Sequence, residues 1–385
     1  MLRKATFWAE EGEAPLLQRN DGFLKPGDDV EGVLRLVQRW PELAGAKPLP
    51  EDFEWPAATA ISEENQRIVL RDAERTFLGE AQREKLQRVL TAIIHRFGDY
   101  AQGLGYVTSF LMLTLDEASA VTILAELNEN ERYVPGYWKH EAVGFATDAL
   151  VFEEILAREQ NEVVQHLKQR FILPDTYCQK WFVGLGVHVL PFELLFTFFE
   201  GFLAGGSRYL FQFGLSVVDH LRDEVLRTKD AANLYALLRL DPKHRAITPE
   251  LLRSIVARAP EFAAAVAAAD LSVLRREVYD TKLRPRLEAA RRSFAEAAKQ
   301  KAEASDDSDD DGDSDDDDEE GEGEECQVCK EMSPELFCKE CKLLLCGACH
   351  EGGKGGHAAS HEVEEDWEEE ATKLAELMSK AKISA

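Results

Sequence analysis

The chain has 385 residues, 45% of them hydrophobic, and a formal net charge of −27. This length exceeds one ordinary domain, and roughly two or three domains are expected. The acidity argues against nucleic acid as a partner, because the phosphates would repel the chain.

The first part of the chain gives little indication of its structure. Residues 1–39 form an N-terminal extension of mixed composition, without the apolar core of a secretory signal. Further on, the most hydrophobic stretch, Trp181–Gly206, is interrupted by Pro191 and by polar residues. It predicts two buried helices separated at the proline rather than a membrane span. We therefore expect a cytoplasmic protein without a transmembrane segment, which associates at most peripherally with endomembranes.

Residues 40–245 are predicted to form an all-α domain. Amphipathic segments of helical length follow one another from about Ser62 to Leu240, with short breaks and no alternating strand pattern. The segment QREKLQRVLTAIIHRF has apolar residues at helical spacing, and Gly98 is a natural end for it. Residues 246–304 are rich in Ala, Arg, Leu and Glu and should add a helical extension, with a break at Pro285.

Two polar residues of this domain have structural explanations when each is taken singly. Val69, Asp72 and Arg75 are spaced by three and approach one face of a helix, where Asp72 can hold the Arg75 guanidinium in an ordinary surface ion pair. Gln102 lies among glycines in GDYAQGLGYVTSF. There, Asp99 could cap a helix and Gln102 could complete a capping box.

Taken together, the motifs around Arg75 and Gln102 indicate a particular protein family. V-x-x-D-x-x-R-T-F, followed by Y-x-Q-G after an amphipathic helix, resembles the TBC family of Rab GTPase-activating proteins. The later stretch YCQKWFVGLGVHVLPFELLFTFFEGFLAGGSRYLFQFGLSVVDHL is also similar to that family. The resemblance extends roughly from Trp40 to Asp241, and it implies a multi-helix TBC (RabGAP) domain.

The resemblance also implies roles for individual residues. Arg75 would be an arginine finger that neutralises charge on the β–γ bridging oxygen of GTP, and Gln102 a glutamine finger that orients the attacking water. Asp72 would preorganise Arg75, while Tyr100 and Gly103 would let the backbone pass close to the nucleotide. The implied partner is a Rab-family GTPase in its GTP-bound form, which carries the GTP and Mg²⁺. The chain would then regulate vesicle trafficking without being an independent enzyme.

The sequence departs from the family pattern at three places outside Arg75 and Gln102. Leu104 and Gly105 follow the Q-G pair, where the family usually has Met-Asn. Residues 197–200, TFFE, keep only the acid of the expected R-[IV]-W-D, and the N-terminal arginine–tryptophan motif is loosely represented at Trp40. We expect these changes to alter which Rab is accepted rather than the chemistry.

A charged linker precedes a cluster of cysteines. Residues 305–325 hold fifteen acids and no base, so the rest of the chain has a formal net charge of −12. A run of like charges of this kind is predicted to be disordered. Six of the seven cysteines follow between Cys326 and Cys349. In a reducing compartment this clustering indicates metal binding rather than disulfides. Each Cys-x-x-Cys brings two thiolates within reach of one tetrahedral Zn²⁺, and eight ligands suit two ions.

The spacing of these ligands resembles the interleaved B-box zinc finger, which implies a small two-zinc module over residues 326–363. By that resemblance one ion is held by Cys326, Cys329, Cys346 and Cys349, and the other by Cys338, Cys341, His357 and His361. His350 is an alternative ligand in the second half. Because no ligand position stays open, both ions should be structural, and they should supply most of the module's folding free energy. Residues 364–385 are predicted to form a C-terminal helix.

Three functions follow from these features. The first is a Rab GTPase activator tethered to a zinc module that recruits a further protein. The second is a non-catalytic Rab-binding adaptor or scaffold, against which the presence of both Arg75 and Gln102 argues. The third is a ubiquitin-ligase scaffold, which is disfavoured because no RING-type ligand set precedes the module and no long heptad coiled coil follows it.

Overall fold

The computed structural model describes residues 30–77, 79–100, 102–139, 142–289 and 291–293, and three short strands between residues 336 and 364. The chain divides into two compact units, residues 1–301 and 302–385. The predicted linker, seven of the eight predicted zinc ligands and the predicted C-terminal helix lie outside the described residues.

Every regular element described in the first unit is helical, which confirms the all-α prediction. The α-helices are α1 (Val30–Gln38), α2 (Trp40–Ala44), α3 (Glu63–Thr76), α4 (Glu80–Phe97), α5 (Gln102–Thr114), α6 (Glu117–Glu129), α7 (Val143–Glu159), α8 (Asn161–Lys168), α9 (Pro174–Phe182), α10 (Phe192–Gly205), α11 (Ser207–Arg227), α12 (Ala231–Leu238), α13 (Pro249–Arg258), α14 (Ala263–Ala268) and α15 (Leu271–Val278). Two 3₁₀ turns, Ala58–Ala60 and Ala259–Phe262, lie between them.

Local signals in the sequence account for many of the helix ends. Ser62 accepts a hydrogen bond from the Asn65 N–H at the start of α3, as an N-cap does. Gly98 ends α4 with a φ of 75°, the left-handed conformation that glycine adopts without strain. Pro191 immediately precedes α10, as predicted, but α9 ends at Phe182 and residues 183–190 form turns where the first of the two helices was expected. The break predicted at Pro285 takes the form of a π-helical turn at Tyr279–Leu283, after which residues 284–289 are again α-helical.

The core is built around α11, which packs against every helix from α7 to α10 and from α12 to α14. Trp40 of α2 is fully buried and stacks on Phe199 of α10, with ring centroids 5.6 Å apart. Its indole N–H donates to the Glu200 carboxylate at 3.2 Å. The two loosely matched family motifs, at residue 40 and at residues 197–200, therefore meet in space and share this hydrogen bond.

The helical extension belongs to the same compact unit as the domain before it. Arg275 of α15 makes a two-pronged ion pair with Asp148 of α7, at 2.6 and 2.8 Å, and it also donates to the Ser207 hydroxyl at 3.0 Å. The Tyr137 hydroxyl donates to the same carboxylate at 2.5 Å. Asp148 is 3% exposed, so removing Arg275 would leave a buried charge uncompensated. This network joins residues 246–283 to the core.

In the second unit the structure describes a small antiparallel sheet, which the sequence did not predict. It consists of β1 (Leu336–Cys338), β2 (Leu343–Leu345) and β3 (Val363–Glu364), in the order β2–β1–β3. Cys338 pairs with Leu343 on one side and with Val363 on the other. Among the described residues of the whole chain, no helix is long and apolar enough to cross a membrane.

Candidate functional site

Arg75 stands at the exposed end of α3. Val69 and Ala73 bury the inner face of this helix, at 3% and 0% exposure, and so turn Arg75 outward in the last turn. A cation at this end interacts favourably with the helix dipole. Among the described residues, no carboxylate lies within 4 Å of the Arg75 guanidinium. The guanidinium is therefore exposed and unpaired within the part of the chain that the structure describes.

Asp72 has a different partner from the one expected. Its carboxylate accepts a hydrogen bond from the Tyr100 hydroxyl, and it makes no ion pair with Arg75 within 4 Å. Burial raises the pKa of the Asp72 carboxyl, while the Tyr100 hydrogen bond and the positive charge of Arg75 act in the opposite direction. Burial also raises the pKa of Tyr100 strongly, so the hydroxyl stays protonated and can donate. Asp72 thus influences Arg75 through charge and leaves its guanidinium unclamped.

Gly105, one of the departures from the family pattern, lies directly against this hydrogen bond. A Cβ atom at position 105 would be 2.7 Å from the Tyr100 hydroxyl oxygen and 3.3 Å from Asp72 Oδ2. Any larger residue would press on the hydroxyl and disturb its contact with Asp72. In this chain the glycine therefore provides the space in which the end of α3 is joined to the start of α5.

Gln102 is the first residue of α5, and its side chain lies outside what the structure describes. The carboxylate of Asp99 accepts from the adjacent Tyr100 N–H at 2.7 Å. A capping box requires its glutamine at the third helical position and the capping residue three places earlier. With α5 beginning at Gln102, the backbone does not have that arrangement. It places Gln102 at the helix start, next to the Tyr100–Asp72 contact.

Gly103 makes a close approach within the protein rather than towards the outside. A Cβ atom at this position would be 2.4 Å from Val183 Cγ1 and 3.0 Å from the Val183 carbonyl oxygen. That carbonyl also accepts from the Trp138 indole N–H at 3.0 Å, which fixes its position. Gly103 therefore lets the first turn of α5 lie against the core, and its expected role near the nucleotide stays a prediction.

His188, one of the polar residues in the hydrophobic stretch Trp181–Gly206, lies beside the same helix. Its ring meets the ring of Tyr106, one turn after Gln102, edge to face with centroids 3.7 Å apart. Burial, and secondarily the charge of Lys180, lowers the pKa of His188 to about 4, so the imidazole is neutral at pH 7. His188 also lines a cavity of about 540 Å³ together with Lys180 and Arg239. The signal available in the sequence was a histidine within an otherwise apolar run.

The side chains of all eight predicted zinc ligands lie outside what the structure describes. Cys338 is the last residue of β1, and its side chain lies outside the described atoms. The other seven predicted ligands lie outside the described residues altogether: Cys326, Cys329, Cys341, Cys346, Cys349, His357 and His361. Within the described part of the chain, no group of three or more His, Cys, Asp or Glu side chains could hold a metal ion. Cys178, the cysteine of the helical unit, is a buried free thiol whose pKa is raised by burial.

Replacing Tyr100 by phenylalanine should lower the free energy of unfolding by about 1–3 kcal/mol, because the partly buried Asp72 carboxylate loses its donor. Thermal or urea unfolding of the full chain measures this change. Tyr235→Phe is the matched control, because no hydrogen bond of the Tyr235 hydroxyl is found among the described residues. Equal stability of Tyr100→Phe and the control would contradict the structural importance of the Tyr100–Asp72 contact.

Comparison with known proteins places the whole site inside one family match. Residues 52–226 match the family model of the Rab-GTPase-TBC domain, and this stretch contains Asp72, Arg75, Tyr100 and Gln102. The TBC domain that the motifs predict is thereby confirmed.

The curated relatives are similar over the same part of the chain. Carabin from Mus musculus is 29% identical over 193 residues, which make up 46% of this chain and 43% of that protein. TBC1 domain family member 2B from Homo sapiens is 25% identical over 159 residues, or 40% of this chain and 16% of that protein. The chain thus spans less than half the length of these relatives. The crystal structure of the Chlamydomonas flagellar RabGAP TBC domain has a TM-score of 0.45 to this chain at 20% identity, over 63% of this chain and 84% of that one.

Proposed function

We propose that this chain accelerates GTP hydrolysis by a Rab-family GTPase, with Arg75 as an arginine finger and Gln102 as a glutamine finger supplied in trans. One observation carries the proposal. The hydrogen bond from Tyr100 to Asp72 joins the end of α3 to the start of α5, and these are the two places where Arg75 and Gln102 stand. Helices α3, α4 and α5 also contact one another, which gives both residues a rigid base.

The chemistry of GTP hydrolysis explains why this pair of residues suits the task. The transferred phosphoryl group passes through a transition state that spreads negative charge over its oxygens, and a slow GTPase lacks a cation at that position and a well-placed water. Arg75 would supply the cation and Gln102 would orient the water. A finger of this kind accelerates hydrolysis by about 10³–10⁵-fold, which corresponds to about 4–7 kcal/mol of barrier.

The surroundings of Asp72 support a mobile rather than a locked finger. An Arg75 held by a two-pronged ion pair would have to break that pair before reaching a nucleotide in another protein. Here the carboxylate is engaged by Tyr100, so its negative charge biases the guanidinium without holding it. The same hydrogen bond keeps Asp72 and Tyr100 in place when Arg75 moves. Asp72 and Tyr100 are thus positioning residues, and the groups proposed to act on the nucleotide are Arg75 and Gln102.

Binding to a Rab in two nucleotide states tests this proposal against the adaptor alternative. A GTPase activator completes the transition state, so the full chain should bind a Rab loaded with GDP and aluminium fluoride more tightly than the same Rab loaded with GDP alone. Arg75→Ala should remove this difference. A non-catalytic adaptor would show no gain from aluminium fluoride and no loss in the variant, and that outcome would overturn the proposal. Through its Rab, the chain would act on vesicle trafficking.

We further propose that residues 326–363 bind two structural zinc ions and serve to recruit a protein partner. The register of the small sheet supports the second ligand set. Cys338 pairs directly with Leu343 and Val363. Cys341 precedes Leu343 by two residues, and His361 precedes Val363 by two residues. Two residues span at most about 7 Å of chain, so the chain length allows Cys341 and His361 to reach one ion together with Cys338.

Metal analysis of the purified full chain should find two zinc ions per molecule. Cys338→Ser should reduce this content to about one ion, because it removes a ligand of one site and leaves the other complete. Cys178→Ala is the control: that thiol is buried in the helical unit, so zinc content should not change. Stimulation of GTP hydrolysis should survive a zinc-selective chelator that leaves the Mg²⁺ of the GTPase in place, since the fingers lie in the other unit. No bound zinc, or a single ion with cysteines to spare, would refute the two-site assignment.

A further inference from the structure

Gly105 occupies a position inside a helix where the backbone does not require a glycine. It is the fourth residue of α5, and it does not have the positive φ found at Gly98. In a helix interior glycine is less favourable than alanine, because it loses more conformational freedom on folding. The reason for a glycine at this position therefore lies in the side chains around it.

The Tyr100 hydroxyl fills the space that a side chain at position 105 would take. A Cβ atom there would be 2.7 Å from the hydroxyl oxygen, which is too short for a contact between atoms that are not bonded. Tyr100 is 8% exposed, so its ring is held by the packing around it. Even an alanine at position 105 would displace the hydroxyl, and this hydroxyl is the group that donates to Asp72.

The Asp72 carboxylate has two donors within reach, and it uses one of them. The Tyr100 hydroxyl donates to it from α5. Arg75 is the second, since residues three apart are neighbours on the surface of a helix, yet its guanidinium makes no ion pair with Asp72 within 4 Å. Burial raises the pKa of the Asp72 carboxyl, while the hydrogen bond from Tyr100 and the charge of Arg75 lower it. The two charges thus interact without being paired.

We propose that Gly105 is a positioning residue that keeps Arg75 free, because it gives the Tyr100 hydroxyl room to hold Asp72. The inference rests on the proposed function, in which the guanidinium must reach a nucleotide in another protein. A larger residue at position 105 would push the hydroxyl off the carboxylate, and the partly buried carboxylate would turn to the guanidinium instead. A charge-assisted contact between these two groups would hold the finger against α3.

Modification of arginine by phenylglyoxal tests this competition without any GTPase. The reagent attacks exposed guanidinium groups, and peptide mass spectrometry of the full chain follows each arginine separately. In Gly105→Ala, Arg75 should react about threefold or more slowly than in the wild type, because an ion pair protects it. Arg71, which is exposed on the same helix, should react at an unchanged rate. Tyr100→Phe removes the hydroxyl without adding an atom, so it should slow the modification of Arg75 equally.

A second substitution identifies the group that pairs with Arg75. Asp72→Asn in the Gly105→Ala protein should restore the wild-type rate of modification, because a neutral amide cannot form an ion pair. Glu74→Gln is the matched control: it removes the exposed acid beside Arg75 in the sequence and should leave the modification slow. The proposal would be overturned by restoration with Glu74→Gln, or by modification at the wild-type rate in both Gly105→Ala and Tyr100→Phe.

Stimulated GTP hydrolysis distinguishes a held finger from a damaged fold. With a Rab that the wild-type chain stimulates, Gly105→Ala should lower the maximal single-turnover rate by about 3–10-fold, far less than the loss of Arg75 itself. The chain concentration that gives half the maximal rate should not change, since the ground-state contacts with the Rab are kept. Chains with Asp72→Asn should stimulate equally with and without Gly105→Ala.

The two measurements separate this inference from the proposed function. A wild-type rate in Gly105→Ala, or a further loss when Gly105→Ala is added to Asp72→Asn, would contradict the positioning role. If the wild-type chain stimulated no Rab, the proposed function would fail, and the modification of Arg75 would still decide whether Gly105 keeps the guanidinium free.

Discussion

Replacing Arg75 by alanine should lower the GTP hydrolysis that this chain stimulates in a Rab by about 10³-fold or more. The residue is exposed in the last turn of α3 and has no carboxylate within 4 Å among the described residues, and in the proposed function its interactions would be made in the transition state of another protein. For the same reason the free energy of unfolding should change by less than about 1 kcal/mol. Single-turnover hydrolysis and thermal unfolding of the same preparation measure both quantities.

Two further variants of α3 test whether the loss of stimulation depends on the guanidinium of Arg75 itself. Arg75→Lys should restore little activity, because an ammonium group does not reproduce the planar, two-pronged donor geometry of a guanidinium. Arg71→Ala removes another exposed arginine one turn earlier on the same helix, and stimulation should be unchanged. Stimulation at the wild-type rate by Arg75→Ala would remove the arginine finger from the account.

Replacing Gln102 should have the second largest effect. Gln102→Ala should lower stimulated hydrolysis by about 10²-fold or more, because the attacking water loses the group that orients it. Gln102→Glu separates this role from helix capping: a glutamate serves in a capping box as well as a glutamine does, but it lacks the amide donor. We therefore expect the glutamate variant to be as inactive as the alanine variant and as stable as the wild type.

A capping role for Gln102 makes the opposite prediction for both variants. Gln102→Ala would then melt early while the folded fraction still stimulated hydrolysis at the normal rate, and Gln102→Glu would behave as wild type. The position of the helix start argues against that result, since α5 begins at Gln102 and a capping box with Asp99 would need the helix to begin two residues earlier. A 10²-fold loss of activity without loss of stability is the expected outcome.

Local sequence rules predicted the helices of this chain well, for physical reasons that particular residues illustrate. Apolar residues at helical spacing predicted α4, and the left-handed Gly98 ends it where a glycine is expected. Pro191 immediately precedes α10, because proline suits the position before a helix and would disrupt a helix interior. Such signals depend on a few neighbouring residues, so they can be recognised without knowledge of the fold.

Contacts between distant residues could not be predicted in this way. The spacing of Asp72 and Arg75 suggested an ion pair along one helix, but the folded chain brings Tyr100, 28 residues away in sequence, to the carboxylate instead. The close approach of Gly103 to Val183 likewise depends on the fold and has no signal in the local sequence. The small sheet was missed because strands of two or three residues are too short to show an alternating pattern.

Single-turnover GTP hydrolysis across a panel of Rab GTPases, with and without the full chain, tests the central claim most directly. The account predicts that at least one Rab hydrolyses GTP about 10³-fold or more faster in the presence of the chain. That acceleration should disappear in both Arg75→Ala and Gln102→Ala. Acceleration of no Rab in the panel, or full acceleration by the doubly substituted chain, would contradict it.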